Sequence, residues 1–590
     1  MAEHEERGGS ALKLSGKKLN ISKQSFVFAA LFVLSFAFML WKCPYGFGGS
    51  DEAFYLTVPH RLTLGDELFR DEWHLSQLAS FFTLPFVSAY WHFNSSNDGI
   101  MLAARYTYAV IHTLAALVIY LRLRRFGWLS VAASIIYMLF TPFDMMCYSY
   151  NTVALDMLAL AGVIAGTSDG CRAPDIAAGA LFACAVVCCP YLVTVYALYL
   201  VMTALYAVMY RKTGKRTWQN PLLTWRRFGR VTVGVMITAA LFAVFFFRHS
   251  SIADVAAALP GLFTDPEHPG YSVVFMLKHY VYCLVTAHRL IYVPLGIYAL
   301  SLAWLIFDKK RTEHARIHLS LTALSALVCF LLFSKELTQS YYNGIMLPLA
   351  FVGFTAYLLL DDKPRGLFTA LFMLGLLYSV CVCATSNMGF DVMSMAFAVV
   401  NIAGCVFIAL LLCQMARAPR KQRRLVLASG IAPVVCLALL VVTVKAAHCF
   451  WDAPPAWLTV RIEEGPARGI VTSQRLNDDY MRVYDDLAEY KDEPRGNILV
   501  YAQETWCYLI LDDYPYAGFS AWLSGLDSVT ELRLRLYYEL NGDKYPKYVY
   551  ILKDNAFAAP QLDGARIYAE AEANGFSVEE NDVSWKLTRK

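Results

Sequence analysis

Long apolar runs, separated by shorter charged segments, occupy the chain from about residue 26 to residue 444. Most of these runs are long enough to cross a bilayer as a helix. About thirteen transmembrane helices are predicted, over residues 26–41, 100–120, 128–143, 152–166, 176–188, 191–209, 231–247, 290–307, 319–333, 345–360, 367–384, 396–414 and 425–444. The pattern is typical of a polytopic α-helical membrane protein.

The composition supports this class of fold. Of the 590 residues, 57% are hydrophobic and 17% are charged, and the mean hydropathy of +0.44 is far above that of an average soluble protein. The fifteen cysteines mostly lie inside apolar runs, where they behave as small apolar residues. No CxxC pair or His/Cys cluster along the sequence indicates zinc.

Basic residues gather in alternate connecting segments, before the first predicted span and after the second, sixth, eighth and twelfth. They are Lys13, Lys17, Lys18, Lys23, Arg122, Arg124, Arg125, Arg211, Lys212, Lys215, Arg216, Arg226, Arg227, Arg230, Lys309, Lys310, Arg311, Arg316, Arg417, Arg420, Lys421, Arg423 and Arg424. If the spans alternate, all these segments share one side, which the positive-inside rule makes cytoplasmic. Residues 1–24 are then a cytoplasmic tail, residues 25–446 a transmembrane domain, and the C-terminus lies outside the membrane. We expect the plasma membrane as its location.

The outer segment after the first span, residues 43–99, carries the candidate chemistry. It contains Gly48-Gly49-Ser50-Asp51-Glu52, which places two adjacent carboxylates at the water boundary. Mutual repulsion and lost hydration favour a raised pKa for one of the pair, which suits a general base. The alternative is that the pair is simply solvated at a helix end.

Three further features of the outer segments bear on the site. Residues 54–69 and 73–91 have apolar positions at helical spacing and are predicted as helices lying along the membrane interface. Residues 248–289 include a Pro/Gly-rich stretch that is either a lid or a plain surface connection. Residues 334–343 are unusually polar and aromatic for a short connection between two spans.

Charged residues become common after residue 445, and no later run is long enough to span a bilayer. The pattern predicts helices over 472–490, 506–511 and 566–574, and strands over 497–503, 547–553 and within 576–587. Alternating strands and helices indicate a small α/β domain, residues 447–590, outside the membrane. It contains no GxGxxG or P-loop, so a nucleotide site is not expected there.

Several short motifs resemble the C-type glycosyltransferase superfamily (GT-C), most closely its protein O-mannosyltransferase and lipid A aminoarabinose transferase branch. The motifs are Gly49-Ser-Asp51-Glu52-Ala-Phe-Tyr55 with Leu64-Gly65-Asp66, Met101-Leu-Ala-Ala-Arg105, Tyr150-Asn-Thr-Val-Ala-Leu-Asp156 and Tyr341-Tyr342-Asn343-Gly-Ile-Met-Leu347-Pro348. The order of spans followed by an outer α/β domain also resembles that branch. One departure is that the Pro-Pro pair of those relatives is absent from the first outer loop, where Arg70-Asp-Glu-Trp-His74 stands.

The resemblance implies inverting transfer of a sugar from a polyprenyl-phosphate donor to a hydroxyl of a glycan, lipid or protein, at the outer membrane face. Membrane lipids are then partners and nucleic acid is not. Asp51 is the implied base, with Glu52 beside it. Substrate contacts are expected from the following residues: Arg105, His74, Asp156, Lys335, Tyr341 and Tyr342. The resemblance fixes no cofactor, and a divalent metal ion, if bound, is expected at Asp51, Glu52 and Asp156.

Structural roles for the same residues stay open at this stage. Arg105 is alternatively the partner of a carboxylate such as Asp51 or Asp156, and Asp156 is alternatively a helix cap. His74 is alternatively an ordinary interfacial residue. A rival function is a transporter or flippase of lipid-linked sugars without transferase chemistry, which predicts two similar halves with broken helices; no such repeat is visible in the sequence.

Overall fold

The computed structural model of the chain describes residues 10–14, 17–213, 220–262, 272–287, 290–334, 343–385, 394–417, 419–502, 504–523, 528–553 and 564–590. Helices α1 to α14 are Lys23–Lys42, Ser50–Thr63, Ser80–Asn94, Ile100–Leu123, Leu129–Leu139, Tyr150–Thr167, Arg172–Cys188, Val193–Thr213, Trp225–His249, Ile252–Leu262, Val273–Ala287, Tyr292–Phe307, Ala315–Phe333 and Leu347–Leu359. Helices α15 to α22 are Arg365–Leu367, Leu374–Thr385, Phe397–Gln414, Arg420–Ala447, Gln474–Ala488, Cys507–Ile510, Ser528–Leu540 and Gly564–Ala573. A π-helical segment, Phe368–Met373, joins α15 to α16.

Each of the thirteen predicted spans coincides with a helix of the structure. Within the described residues, nine helices are long and apolar enough to cross a membrane by length and composition. The other four predicted spans are the shorter helices Leu129–Leu139, Arg172–Cys188, Tyr292–Phe307 and Leu347–Leu359. The chain is therefore a multi-pass helical membrane protein, as predicted, and the exact number of crossings stays a prediction.

Helix α17, Phe397–Gln414, lies at the centre of the helical bundle. Of the residues in its most apolar stretch, 83% are buried. It packs closely against α14, because a Cβ on Gly353 would lie 2.5 Å from the Cα of Gly404. Small residues let two helix backbones approach in this way, and such contacts replace the hydrophobic driving force that lipid surroundings remove. One buried apolar core joins residues of the first helix of the bundle, such as Met39 of α1, to residues of the last, such as Val441 and Val444 of α18.

The outer segment between α1 and α4 forms two helices, α2 and α3, close to the predicted stretches. Their expected position along the membrane interface stays a prediction, and the packing of α2 shows a protein partner. Ala53, Phe54, Leu56 and Val58 are buried in one core with residues of the C-terminal domain. Helix α2 is thus covered by that domain, because its apolar positions find a protein partner.

The C-terminal region is an α/β domain, as predicted. Strands β5 (Ile498–Tyr501), β6 (Tyr548–Leu552), β7 (Phe576–Glu580) and β8 (Ser584–Arg589) form a sheet in the order β5-β6-β8-β7. Strand β5 is parallel to β6, and the remaining pairs are antiparallel. The pattern missed helix α21, Ser528–Leu540, and the short antiparallel pair of β3 (Val460–Arg461) with β4 (Val471–Thr472). Near the N-terminus, β1 (Ser10–Leu14) pairs with β2 (Lys17–Ile21).

Ionic contacts join the C-terminal domain to the first outer segment. Arg61, at the end of α2, is fully buried and binds Asp66 and Glu72 at 2.7 Å each, and it donates to the carbonyl of Gly518 at 3.0 Å. Lys544 of the C-terminal domain also pairs with Asp66. The domain is therefore held against the segment that carries the acidic pair.

Candidate active site around the first outer turn

The Asp51-Glu52 pair lies in the first turn of α2, directly after the glycine turn that follows the first membrane helix. Gly49 precedes the helix with φ +60°, a conformation that glycine adopts readily and L side chains rarely do. The two carboxylates differ in their surroundings. Glu52 is 3% exposed, whereas Asp51 is half-buried and keeps contact with solvent.

Arg105 of α4 binds Glu52 with both ends of its guanidinium. Its Nε lies 2.5 Å from Glu52 Oε1 and its Nη2 lies 2.6 Å from Glu52 Oε2. Its remaining N–H groups donate to three backbone carbonyls, those of Cys43 at 2.9 Å, Tyr45 at 3.3 Å and Gly46 at 2.7 Å. Since a guanidinium has five N–H donors, these contacts account for all of them. Arg105 therefore holds the turn that leads into the acidic pair.

The family resemblance implies that Arg105 contacts the substrate, here the donor phosphate, and the alternative is an ion pair with Asp51 or Asp156. The geometry favours an ion pair, with Glu52 as the partner. A buried charge of this kind is tolerated only when it is paired and its hydrogen bonds are satisfied, which the five contacts achieve. The phosphate-binding role of Arg105 stays a prediction.

Glu504 is a further carboxyl group beside the same turn, and it comes from the C-terminal domain. Its side chain accepts a hydrogen bond from Trp506 Nε1 at 2.6 Å. A Cβ added to Gly49 would lie 2.5 Å from Glu504 Oε2, so the missing side chain of Gly49 permits the approach. Burial raises the pKa of Glu504 to about 8, and the negative charge of Asp51 acts in the same direction. At pH 7 Glu504 is therefore mostly protonated, beside a more exposed Asp51.

Sequence reasoning missed Glu504, because it stands in a short polar stretch of the C-terminal domain with no motif around it. The signal available was the glycine pair before Asp51. In the structure Gly49 permits the close approach of another part of the chain, the Glu504 carboxyl.

His74 caps the 3-10 helix Leu75–Ala79, and its Nδ1 lies 2.6 Å from Ser76 Oγ. Its ring meets the edge of the Phe54 ring with centroids 4.8 Å apart. Phe54 stands three residues after Asp51 on α2, so the two share one face of that helix. The structure thus brings His74 to the helix that carries Asp51, and its role in substrate binding stays a prediction.

Asp156 lies inside the helical bundle, in the second turn of α6. Its Oδ1 is bound at 2.7 Å by both His112 Nδ1 and Tyr137 Oη. It does not cap α6, because Ser149 accepts the N–H of Thr152 in that role. The substrate contact expected of Asp156 stays a prediction.

The metal ligands suggested by the sequence do not form one ligand group in the described residues. Both oxygens of Glu52 are bound by Arg105, and Asp156 Oδ1 is bound by His112 and Tyr137. Lys335, Tyr341 and Tyr342 lie outside the described residues, so their expected roles stay predictions.

A buried ionic cluster that the sequence did not indicate lies close to this site. Lys445, in the last turn of α18, binds Asp144 Oδ1 at 2.5 Å and Thr141 Oγ1 at 2.9 Å. Lys42, the last residue of α1, lies 3.5 Å from Asp144 Oδ2 and donates to the carbonyl of His448. The cluster ties together the first and last membrane helices. The sequence did contain one indication of this cluster, since each of its charged residues stands at the edge of an apolar run. Ionisable residues in such positions are usually paired or functional.

A small cavity lies between this cluster and the Arg105–Glu52 pair. Its lining includes Lys42, Arg105, Asp144 and Phe450. The buried charges, the acidic pair and Glu504 therefore form one continuous region where the end of the first membrane helix meets the C-terminal domain.

The fold and the site define a multi-pass membrane protein with a small α/β domain covering a polar, acid-lined turn. No family model and no curated protein matches the chain. Among solved structures, it is similar to the oligosaccharyltransferase of Archaeoglobus fulgidus, solved with a tethered acceptor peptide, with 12% identity, a TM-score of 0.39 and coverage of 96% of this chain and 74% of that one. It is also similar to ArnT of Cupriavidus metallidurans in the apo state, with 14% identity, a TM-score of 0.37 and coverage of 95% and 98%.

Both of these proteins are glycosyltransferases of the GT-C type, the superfamily that the sequence motifs resemble.

Proposed function

We propose that this protein is an integral-membrane glycosyltransferase that moves a sugar from a polyprenyl-phosphate donor to a hydroxyl acceptor, with inversion at the anomeric carbon and Asp51 as the general base. The observation that carries the proposal is the placement of Asp51. It is half-buried in the first turn of α2, next to a turn held by Arg105, and the carboxyl of Glu504, whose pKa burial raises to about 8, lies beside the same turn. Two neighbouring carboxyl groups in unlike environments, one buried and one half-buried, are an arrangement typical of acid–base chemistry.

In the proposed reaction, the acceptor oxygen forms a bond to the anomeric carbon while the bond from that carbon to the phosphate oxygen breaks. The hydroxyl proton passes to Asp51, because a hydroxyl is a poor nucleophile until a base accepts its proton. The polyprenyl phosphate leaves with the electron pair of the broken bond. Fixed donors or cations must stabilise its charge, and His74 beside α2, together with Lys335, Tyr341 and Tyr342, are the candidates.

Glu52 and Arg105 have a positioning role in this proposal. Their bidentate pair is buried and fixes the carbonyls of residues 43–46, from which the chain enters the turn before Asp51. Catalysis by a general base depends on such fixed placement, since errors of about 1 Å in a reacting group cost roughly 10²-fold in rate.

The proposal also assigns the parts of the chain. Residues 1–24 are cytoplasmic, residues 25–446 form the transmembrane domain with the catalytic segment 43–99, and residues 447–590 lie outside the plasma membrane over the site. The contacts of Arg61 and Lys544 support this assignment, because they join the C-terminal domain to the outer segment that carries Asp51.

Reconstitution tests the proposal. Purified protein in liposomes, given a polyprenyl-phosphate sugar and a hydroxyl acceptor, is expected to release polyprenyl phosphate in equal amount to the glycosylated product. A deletion strain is expected to accumulate the native donor, which mass spectrometry of lipid-linked sugars identifies. Movement of the donor across the liposome membrane without its consumption would support the transporter alternative and contradict transfer.

A further inference from the structure

Two histidines and one carboxylate converge at the turn that joins α12 to α13. Asp308 follows the last residue of α12, His314 precedes the first residue of α13, and His318 lies in the first turn of α13. His314 Nδ1 and His318 Nε2 lie 2.7 Å and 2.9 Å from the same oxygen, Asp308 Oδ2. The three atoms all lie within 4.8 Å of one another. Within the described residues, this is the one such group of His, Cys, Asp or Glu with the spacing of metal ligands.

Neighbouring groups orient these three side chains. Asp308 Oδ1 accepts the backbone N–H of Lys310 at 2.8 Å, which turns Oδ2 toward the two imidazoles. The Trp304 ring packs on His318 with centroids 4.4 Å apart and fixes the plane of that imidazole. His318 is fully buried, whereas the side chain of His314 is 39% exposed. The group is thus held firmly on its inner side and open to solvent on its outer side.

We propose that Asp308, His314 and His318 bind one divalent transition-metal ion of the zinc class. Two imidazole nitrogens and a carboxylate oxygen are donors that this class of ion prefers, at distances of about 2.0–2.2 Å. In a tetrahedral site with such bonds, neighbouring ligand atoms stand about 3.3 Å apart. The observed N–O separations of 2.7 Å and 2.9 Å would lengthen by about 0.6 Å and about 0.4 Å to reach that value, and the two nitrogens lie within 4.8 Å of each other. Water occupies the fourth position, on the side where His314 meets solvent.

The alternative is an ion-pair cluster without metal. It differs from the metal-bound state in which ring nitrogen of His318 carries the hydrogen. In that case both imidazoles donate to one oxygen, and the buried Nδ1 of His318 carries no hydrogen, so its lack of a hydrogen-bond partner costs little. In the metal-bound state Nε2 of His318 binds the ion, so Nδ1 carries the ring hydrogen and has no acceptor for it. The cost of leaving that buried N–H without an acceptor is outweighed by three coordination bonds.

The role of the ion is structural. The turn lies among the basic residues Lys309, Lys310 and Arg311, on the side predicted to be cytoplasmic, whereas Asp51 is predicted to lie on the other side. The ion therefore joins the ends of α12 and α13 and takes no part in the proposed transfer reaction, so its test is independent of that reaction.

Metal binding is tested on the full-length protein, purified in detergent with an affinity tag that contains no histidine. After chelation and dialysis, the protein is expected to take up one equivalent of Zn²⁺ by elemental analysis, with a raised melting temperature. With Co²⁺ it is expected to develop the visible absorption of a tetrahedral site. His314→Gln and His318→Gln are each expected to weaken Zn²⁺ binding at least tenfold, whereas His92→Gln, at an exposed histidine of α3, keeps it.

Absence of stoichiometric Zn²⁺ binding, or unchanged binding in His314→Gln, would overturn the proposal and leave an ion-pair cluster only. Because His314 is partly exposed, its variant is expected to fold even if the His318 variant does not. Unchanged binding in both histidine variants with loss in His92→Gln would place the ion elsewhere and also overturn it.

Discussion

Arg105 and Glu52 form a buried, two-point ion pair, with Nε–Oε1 at 2.5 Å and Nη2–Oε2 at 2.6 Å. The pair joins the start of α4 to the first turn of α2, and Arg105 also binds the carbonyls of the preceding turn. Since Asp51 is the chain neighbour of Glu52, the placement of the proposed base depends on this pair.

Replacement of Arg105 by lysine is expected to lower stability, because a single ammonium cannot make the two parallel bonds or reach three carbonyls at once. Removing one partner of a buried pair typically costs about 3–5 kcal/mol. Thermal melting of Arg105→Lys and Glu52→Gln in detergent measures the loss. Arg475→Lys, at an 80% exposed arginine, is the matched control and is expected to melt like the parent. An unchanged melting temperature combined with lost donor affinity would instead support a phosphate-binding role for Arg105.

Asp51→Asn is expected to abolish most of the sugar transfer while leaving melting temperature unchanged. The amide keeps the shape of the side chain but accepts no proton at neutral pH, and loss of a general base costs roughly 10²–10⁴-fold in rate. Turnover of the purified variant in liposomes measures the effect. Asp492→Asn, at an exposed carboxylate of the C-terminal domain, is the control with full activity expected. Near-normal turnover of Asp51→Asn would remove this residue from the mechanism.

Glu504 makes stability depend on pH. Burial raises its pKa to about 8 from an ordinary value of 4.5. Between these two values the unfolded chain gives up the proton that the folded protein keeps, so stability falls as pH rises, by at most about 1.4 kcal/mol per pH unit. Below pH 4.5 both states are protonated, and above pH 8 both are ionised, so the contribution is constant there.

Glu504→Gln removes this titration. The melting temperature of the variant, relative to the parent, is therefore expected to increase between pH 5 and pH 8. Glu463→Gln, at an exposed glutamate, should show the same difference from the parent at every pH. If the melting temperatures of the parent protein and Glu504→Gln instead differed by the same amount at every pH, Glu504 would have an ordinary pKa in the folded protein.

Asp144→Asn is expected to be strongly destabilising, because it leaves Lys42 and Lys445 buried without a negative partner. A loss of about 3–5 kcal/mol is typical for such a change. Thermal melting in detergent measures it, with the exposed Asp362→Asn as control. Adding Lys445→Met to Asp144→Asn is expected to restore part of the loss, since it removes one unpaired charge; no recovery would show that the cluster is not stabilised by charge pairing.

Orientation in the membrane is checked with a membrane-impermeant thiol reagent on intact spheroplasts. Asp582→Cys, in the C-terminal domain, is expected to react from outside. Cys171, an exposed native cysteine in a predicted cytoplasmic segment, and Lys309→Cys are expected to react only after permeabilisation. Labelling of Lys309→Cys in intact spheroplasts would contradict the topology.

The positions of the membrane helices followed from the sequence alone. A span requires a local run of apolar residues, and local runs are visible in the chain without knowledge of its partners. The sheet strands at 498–501 and 548–552 were predicted for a similar reason, since they are short, continuous apolar segments. Helix Ser528–Leu540 was missed because its alternating charged and apolar residues do not form a clear stripe.

The sequence also identified the turn at Asp51, but the tertiary structure decided what surrounds it. The partner of Arg105, the approach of Glu504 to Gly49 and the pairing of Lys42 with Lys445 through Asp144 all join residues far apart in the chain. The convergence of Asp308, His314 and His318, closer in sequence, depends on the angle at which α12 meets α13. Periodicity records which face of a helix is apolar, whereas charge pairing and pKa depend on distance and burial, and those are set only when the helices pack.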